Sequence, residues 1–239
     1  MQLQETGIFN FIRIPDLISS LNMIFGVLGI LMAINNYFSL SAFFIIIAII
    51  FDSVDGWVAR KLGFHDDLGF GKNIDSLADI VSFGVAPAVL LYTLGMKLAP
   101  NLEILTIIIC LYMVLCGLLR LARFNVIGEK IEYKGFIGFP IPGIALLLTA
   151  LYLTGVFNIW FAYILMIIVA TLMVSNFKYP KVDNYPMIAI SVILIILTPL
   201  KLALFNINIP ALILFIIVLI YLIIFLYYNL NNTIDNLNE

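Results

Sequence analysis

The chain has 239 residues, of which 64% are hydrophobic and 11% are charged, and its mean hydropathy is +1.16. A soluble domain is about 45–50% apolar and about 25% charged, so a water-soluble enzyme, a disordered chain and a small secreted scaffold are excluded. The net charge of -2 argues against a nucleic-acid partner, which requires a strongly basic face. We therefore expect an integral membrane protein.

Apolar runs long enough for transmembrane helices follow one another along the chain, since a span needs about 20 mostly apolar residues. The eight runs lie at 17–35, 38–60, 74–97, 102–124, 140–157, 158–177, 186–204 and 209–230. The first has neither a basic segment before it nor a small-residue cleavage site, and we expect a retained span. Without an evident repeat or linker, the sequence predicts one all-α membrane domain over 1–239.

The basic residues predict the orientation. Eight helices place ten lysines and arginines on one side of the membrane and only Lys97 and Lys201 on the other. The ten are Arg13, Arg60, Lys61, Lys72, Arg120, Arg123, Lys130, Lys134, Lys178 and Lys181. Cytoplasmic loops carry such an excess, so both termini are predicted to be cytoplasmic. A single span over 140–177, interrupted only at 155–158, would weaken the asymmetry.

Cysteine and histidine offer little chemistry in this chain. Cys110 and Cys116 share one apolar run and form neither a disulfide framework nor a zinc site, so we interpret them as packing residues. The single histidine, His65, lies among loop residues. Histidine-based catalysis within the bilayer is therefore not expected.

Four aspartates are predicted to meet where the second helix ends and the third begins. Asp52 and Asp55 are three residues apart, and Asp75 and Asp79 are four apart, so each pair shares one helix face. A short loop makes the two helices antiparallel neighbours. The apolar run 38–51 before Asp52 covers roughly 21 Å at about 1.5 Å per residue, which places the cluster near the cytoplasmic interface.

Four adjacent carboxylates repel one another unless they are protonated or neutralised by cations. Hard divalent cations with oxygen ligands are the natural partners, and a pair of ions about 3.5–4 Å apart suits a diphosphate substrate. The alternative is a set of solvated helix-end charges, but charges beside a long apolar run are costly without a role. Small residues nearby, among them Gly56 and Ala78, permit close helix packing or leave room for a nucleotide.

This arrangement closely resembles the signature of the CDP-alcohol phosphatidyltransferase family. The matching residues are Asp52-x2-Asp55-Gly56-x2-Ala59-Arg60, followed by Gly71-x3-Asp75-x3-Asp79. The connection between Arg60 and Gly71 is longer than the family pattern, and we place the extra residues in a loop at 65–68. Gly69 would restore the spacing but would put Asn73 at the third aspartate's position, so Gly71 is the better match.

The resemblance implies an activity and a role for each residue. Members transfer a phosphatidyl-type group from a CDP-linked lipid to an alcohol, release CMP and need Mg²⁺ or Mn²⁺, here two ions. Asp52, Asp55, Asp75 and Asp79 would hold metal, and Asp79 is also the candidate base for the acceptor's proton. The residues implied for CDP-lipid binding are Gly56, Ala59, Arg60 and Gly71. Members also tend to be homodimers.

Three segments resemble the phosphatidylserine synthase branch of the family, which implies L-serine as the acceptor. They are 75–87 on the third helix, 120–125 at the end of the fourth, and 138–142 at the opening of the fifth. Arginine can bind a carboxylate in a bidentate manner, so Arg120, Arg123 and Asn125 are candidates for holding serine. The alternative for the arginines is contact with lipid phosphates.

Other activities stay open at this point. Glycerol phosphate or inositol phosphate as the acceptor would call for more basic residues near the site. A cation-coupled transporter would show repeats, broken helices and a site at the membrane midplane. The donor is CDP-diacylglycerol or its archaeal ether analogue, CDP-archaeol. We expect an enzyme of the cell membrane, surrounded by membrane lipids, with its active site at the cytoplasmic face.

Overall fold

The computed structural model describes residues 7–63, 69–127, 135–180, 194, 197, 203–204 and 207–238. The helices in these ranges are α1 (Ile14–Ile34), α2 (Phe38–Leu62), α3 (Phe70–Asp79), α4 (Ala86–Leu98), α5 (Glu103–Ile127), α6 (Ile141–Leu153), α7 (Ile159–Val174) and α8 (Ile209–Asn238). Short 3₁₀ turns occupy Ile8–Asn10 and Pro100–Leu102. The expectation of an all-α membrane protein is confirmed.

Helices α3 and α4 belong to one continuous rod. A π-helical segment, Ile80–Val85, joins them without a break, so the rod runs from Phe70 to Leu98. Among the described residues, five helical rods are long and apolar enough to cross a membrane. They are Ile14–Ile34, Phe38–Leu62, Phe70–Leu98, Pro100–Ile127 and Ile209–Asn229.

Helices α6 and α7 form the hairpin predicted from the break at 155–158. They have 13 and 16 residues, fewer than the two full spans expected at 140–157 and 158–177. Strand β1 (Gly135–Ile137) before α6 pairs antiparallel with β2 (Lys178–Pro180) after α7, so both ends of the hairpin lie together. Helix α6 is apolar all round and lies in the centre of the bundle, where Ile144, Leu147 and Leu148 are almost fully buried.

The predicted seventh helix, 186–204, falls almost entirely outside the described residues. Leu194 and Leu197 are helical within it. At its end, Ala203–Leu204 is a short strand, β3, which pairs antiparallel with β4 (Ile207–Asn208). These strands and the β1–β2 pair were not anticipated, since hydropathy alone signals spans and not the short pairings between them.

Helix α1 turns its small and polar residues inward. The buried residues are Asp16, Ser19, Asn22, Gly26, Gly29 and Ala33, three or four positions apart. Large side chains such as Leu17, Ile24 and Leu31 are exposed on the opposite face, where lipid would cover them. A Cβ atom on Gly26 would lie 2.3 Å from Ser82 Oγ and 2.7 Å from Ser82 Cα. Glycine therefore permits α1 to touch the π segment.

The basic residues that the structure describes lie mostly at one end of the helical bundle. Hydrogen bonds join the start of α1 to α2, the start of α3 to the end of α5, and the end of α5 to the end of α7. Of the eight lysines and arginines that the structure describes, seven lie at this end: Arg13, Arg60, Lys61, Lys72, Arg120, Arg123 and Lys178. The eighth, Lys97, lies at the opposite end over the ring of Phe38.

Gly138 has a backbone and a position that only glycine fits. Its φ is +78°, and a Cβ atom there would lie 2.1 Å from the Met173 carbonyl oxygen and 2.4 Å from Arg123 Nη2. We expect Gly138→Ala to lower the free energy of unfolding by about 1–3 kcal/mol from backbone strain, and by more from the clash. Thermal unfolding in detergent measures this loss.

Gly63→Ala is the matched control. Gly63 has a similar φ of +61°, but none of the described atoms lies within 4 Å of a Cβ placed there. This variant should lose only the backbone contribution. Equal losses in the two variants would contradict the close contact assigned to Gly138.

Candidate active site

Four aspartates converge where α2 ends and α3 begins, as predicted. The carboxylate oxygens of Asp52, Asp55 and Asp75 all lie within 4.8 Å of one another. The carboxyl group of Asp79 lies beside that of Asp52. Asp55 and Asp79 are 5% and 7% exposed, so both are largely withdrawn from solvent.

Helix α1 supplies the hydrogen-bond donors that hold two of these carboxyl groups. Ser19 Oγ donates to Asp55 Oδ2 at 2.5 Å, and Asn22 Nδ2 donates to Asp79 Oδ1 at 3.1 Å. Neither residue was predicted from the sequence. The signal was present, since Asp16, Ser19 and Asn22 recur every third residue in a segment that is otherwise largely apolar.

Among the described residues, Arg120 is the buried basic residue beside the aspartates. It lies on α5, is only 4% exposed, and acts electrostatically on Asp79, Asp52 and Asp75. Its guanidinium lies over the rings of Phe124 and Phe136, at 5.4 and 5.5 Å from their centroids. Its Nε has no hydrogen-bond partner among the described residues. A buried arginine with an unused donor is suited to binding an anionic group.

Arg123 has a different environment, although it is only three residues away. Its Nη2 donates to the carbonyl oxygens of Ile137 and Met173 at 2.8 and 2.9 Å, and its Nη1 donates to Val174 O at 3.1 Å. These bonds tie the end of α5 to β1 and to the end of α7. Arg123 therefore has a structural role next to the site, because it connects these three elements.

Asn125 links α5 to the start of α3. Its Nδ2 donates to Ser76 Oγ at 2.8 Å, next to Asp75 in sequence, and its carbonyl oxygen accepts from Lys72 Nζ at 2.9 Å. Its side-chain Oδ1 is buried and has no donor among the residues described. Asn125 is thus close to the aspartates and retains an acceptor.

The residues implied for CDP-lipid binding flank the aspartates on the same two helices. Gly56 and Ala59 are partly buried in the last turns of α2, Gly71 is partly buried in the first turn of α3, and Arg60 is exposed. A Cβ on Gly56 would lie 3.3 Å from Arg60 Nη1, so the guanidinium folds over the glycine. The loop predicted at 65–68 lies outside the described residues.

The geometry also separates the two possible alignments of the motif. Asn73 is exposed and bonds back to Gly69 O at 2.8 Å, whereas Asp75 belongs to the cluster. Gly69 precedes α3 with a φ of +70°. The assignment of Gly71 as the second motif glycine therefore agrees with the positions of the carboxylates.

The π segment begins immediately after Asp79. Such wide turns within α-helices are rare and frequently occur at functional sites. Ser82, in this segment, donates from Oγ to the carbonyl oxygen of Asn22 at 3.0 Å. The segment therefore presents both Asp79 and Ser82 to helix α1.

The donor set fits divalent cations with oxygen ligands. Three carboxylates lie within reach of one ion, a fourth adjoins them, and Arg120 is the buried cation that acts on them. Carboxylates exceed positive charge here, which hard cations such as Mg²⁺ or Mn²⁺ would balance. Cys110 and Cys116 are free, buried and belong to the core, as expected.

Comparison with known proteins agrees with this geometry. The model of the CDP-alcohol phosphatidyltransferase family matches residues 12–175. The chain is 44% identical over 182 residues to an archaetidylserine synthase of Methanothermobacter thermautotrophicus, covering 76% of each chain. It is 46% identical over 179 residues to a CDP-diacylglycerol–serine O-phosphatidyltransferase of Methanocaldococcus jannaschii, covering 74% of this chain and 79% of the relative.

A bacterial relative extends the comparison. The chain is 35% identical over 172 residues to a CDP-diacylglycerol–serine O-phosphatidyltransferase of Bacillus subtilis, covering 72% of this chain and 92% of the relative. The family match covers more than half of the chain and includes all four aspartates. This protein belongs to the CDP-alcohol phosphatidyltransferase family.

Proposed function

We propose that this enzyme transfers a phosphatidyl or archaetidyl group from a CDP-linked lipid to the hydroxyl of L-serine, giving the serine phospholipid and CMP. The observation that carries the proposal is the convergence of four aspartates beside buried Arg120 in a chain of this family. The names of the relatives from both archaea and Bacillus subtilis support serine as the acceptor.

Asp52, Asp55 and Asp75 would hold the divalent cations, two in number, with Asp79 beside them. When bound, Mg²⁺ or Mn²⁺ ions would neutralise the diphosphate and stabilise charge on the departing CMP. Ser19 donates its hydroxyl to Oδ2 of Asp55, and the other oxygen of that carboxylate, Oδ1, would bind a cation. Gly56, Ala59, Arg60 and Gly71 would line the CDP part of the donor.

Asp79 accepts the proton of the attacking hydroxyl in this proposal. The serine oxygen forms a bond to the lipid-linked phosphorus while the bond from that phosphorus to CMP breaks. The proton passes to the Asp79 carboxylate, and CMP leaves with the electron pair of the broken bond. A carboxylate is a suitable base when it lies within hydrogen-bond reach of the hydroxyl.

Arg120 is the residue that we assign to the serine carboxylate. It is buried beside Asp79 and has an unused Nε donor, whereas the Nη donors of Arg123 bind carbonyl oxygens. The buried Oδ1 of Asn125, which has no donor among the described residues, would accept a hydrogen bond from the serine ammonium group. Together these groups complement a zwitterionic amino acid, since each buried polar atom gains a partner of opposite character.

The end of the bundle that carries the aspartates faces the cytoplasm in this proposal. Seven of the eight described basic residues lie at that end, as the positive-inside rule requires. Serine is then available from the cytoplasm, and the lipid donor enters from the inner leaflet.

The first test is CMP release by the purified protein with ester-linked or ether-linked CDP-lipid and Mg²⁺ or Mn²⁺. Parallel reactions contain L-serine, glycerol 3-phosphate, inositol phosphate or no acceptor. We expect release that only serine stimulates and that EDTA abolishes. Stimulation by another alcohol alone would contradict serine as the acceptor, and metal-independent release would contradict the role of the aspartates.

Asp79→Asn should lower CMP release by about 10²–10⁴-fold, because the amide cannot accept the hydroxyl proton. Binding of the CDP-lipid, measured by the thermal stabilisation it produces, should persist. Asn73→Ala is the control on the same helix, since Asn73 is exposed and outside the cluster. Near-normal turnover in Asp79→Asn would rule out Asp79 as the base.

Arg120→Lys should raise KM for serine by about tenfold or more, because the ammonium keeps the charge but loses the bidentate geometry. KM for the CDP-lipid should change much less. Arg123→Lys is the comparison variant and should lower thermal stability without a selective effect on serine. If only Arg123→Lys raised KM for serine, the assignment of the two arginines would be reversed.

A further inference from the structure

We infer that Asn22 is a positioning residue for Asp79: its side-chain amide fixes the carboxyl group that takes the acceptor's proton. The inference rests on the proposed function, because it assigns Asn22 to the same reaction. Its basis is the hydrogen bond from Asn22 Nδ2 to Asp79 Oδ1, which joins α1 to the rod Phe70–Leu98 across 57 positions of sequence.

The burial of Asn22 indicates that filling space is not the reason for an asparagine at this position. Asn22 is 0% exposed, in the middle of a helix whose outer face is apolar. Its Oδ1 has no hydrogen-bond partner among the described residues. Burying an amide with one unsatisfied atom is unfavourable, and an aliphatic side chain would fill the space without this cost. The bond to Asp79 is the interaction that Asn22 gains in return.

The side-chain amide of Asn22 is a suitable hydrogen-bond donor to a carboxylate that acts as a base. An amide N–H donates only, so Asp79 Oδ1 must act as its acceptor. A neutral donor orients the carboxylate without adding the positive charge that would make it a poorer proton acceptor. The Asp79 carboxyl group also contacts Asp52, so Asn22 and Asp52 together restrict its rotation.

The backbone of Asn22 is itself anchored to the element that carries Asp79. Ser82 Oγ donates to Asn22 O at 3.0 Å, and one turn further along α1 Gly26 lies directly against Ser82. The close contact of Gly26 with Cα and Cβ of Ser82, atoms that an alanine would retain, sets the spacing between the two helices beside the Asn22–Asp79 bond. Such support keeps a catalytic group near its productive geometry, and a displacement of about 1 Å can cost about a hundredfold in rate.

The test compares Asn22→Leu and Asn22→Asp with wild type in the serine-dependent CMP-release assay. Leucine removes the donor, and aspartate keeps the shape but opposes Asp79 with a second carboxyl group. We expect kcat to fall by about tenfold to a hundredfold in both, with KM for the CDP-lipid within about twofold. Thermal stabilisation by the CDP-lipid identifies folded protein, and the isosteric aspartate variant provides the result if leucine prevents folding.

Ser82→Ala is the matched control, because it removes the other hydrogen bond between the same two elements and leaves the Asn22 amide in place. Its kcat should stay within about twofold of wild type. Equal loss in Ser82→Ala and Asn22→Leu would overturn the inference in favour of general helix packing. Normal kcat in both Asn22 variants would also overturn it.

A double variant tests whether Asn22 acts through Asp79 or independently of it. If Asn22 works through Asp79, then Asn22→Leu should cause no further loss in an Asp79→Asn background, whereas independent effects would multiply. Wild-type protein that releases no CMP would overturn the proposed function and, with it, this role. Active wild type with unaffected Asn22 variants would overturn the positioning role alone.

Discussion

The mutual repulsion of four carboxylates in a largely apolar bundle is the constraint on which the site depends. Two unit charges about 4 Å apart interact by about 4 kcal/mol near a protein surface, and three of these carboxylates have oxygens within 4.8 Å of one another. Ser19 and Asn22 donate to two of the carboxyl groups, and Arg120 supplies positive charge. This arrangement leaves an excess of negative charge, which suits a site that binds divalent cations and a diphosphate.

The acidic cluster was predictable because its members lie on two helices joined by a short loop. Three- and four-residue spacing placed Asp52 with Asp55 and Asp75 with Asp79, and antiparallel neighbours brought the pairs together. The donors on α1 were not found, since Ser19 and Asn22 carry no charge and contact residues more than 30 positions away. A small polar residue in a membrane span can bond to its own helix or to a neighbouring one. Only the packed structure shows which carboxyl group each residue contacts.

Sequence spacing also could not separate Arg120 from Arg123. The two lie about 60° apart around α5, and this angle decides whether the guanidinium meets the aspartates or the end of α7. Likewise, hydropathy found the break between α6 and α7 but overestimated their lengths. An apolar side chain gives the same signal whether it faces lipid or protein, and α6 is surrounded by protein.

The uneven polarity of the rod Phe70–Leu98 has a consequence for insertion into the membrane. Its first ten residues, Phe70–Asp79, include Lys72, Asp75 and Asp79, while the π segment and α4 are apolar apart from a few residues. Inserting an aspartate alone near the centre of a helix costs about 2.5–3.5 kcal/mol on translocon scales. Helix α1, which is synthesised first, offers the Asn22 side chain to Asp79 and the Asn22 backbone carbonyl to Ser82. Because α1 precedes this rod in the chain, a partner for Asp79 and for Ser82 has already been synthesised when the rod reaches the bilayer.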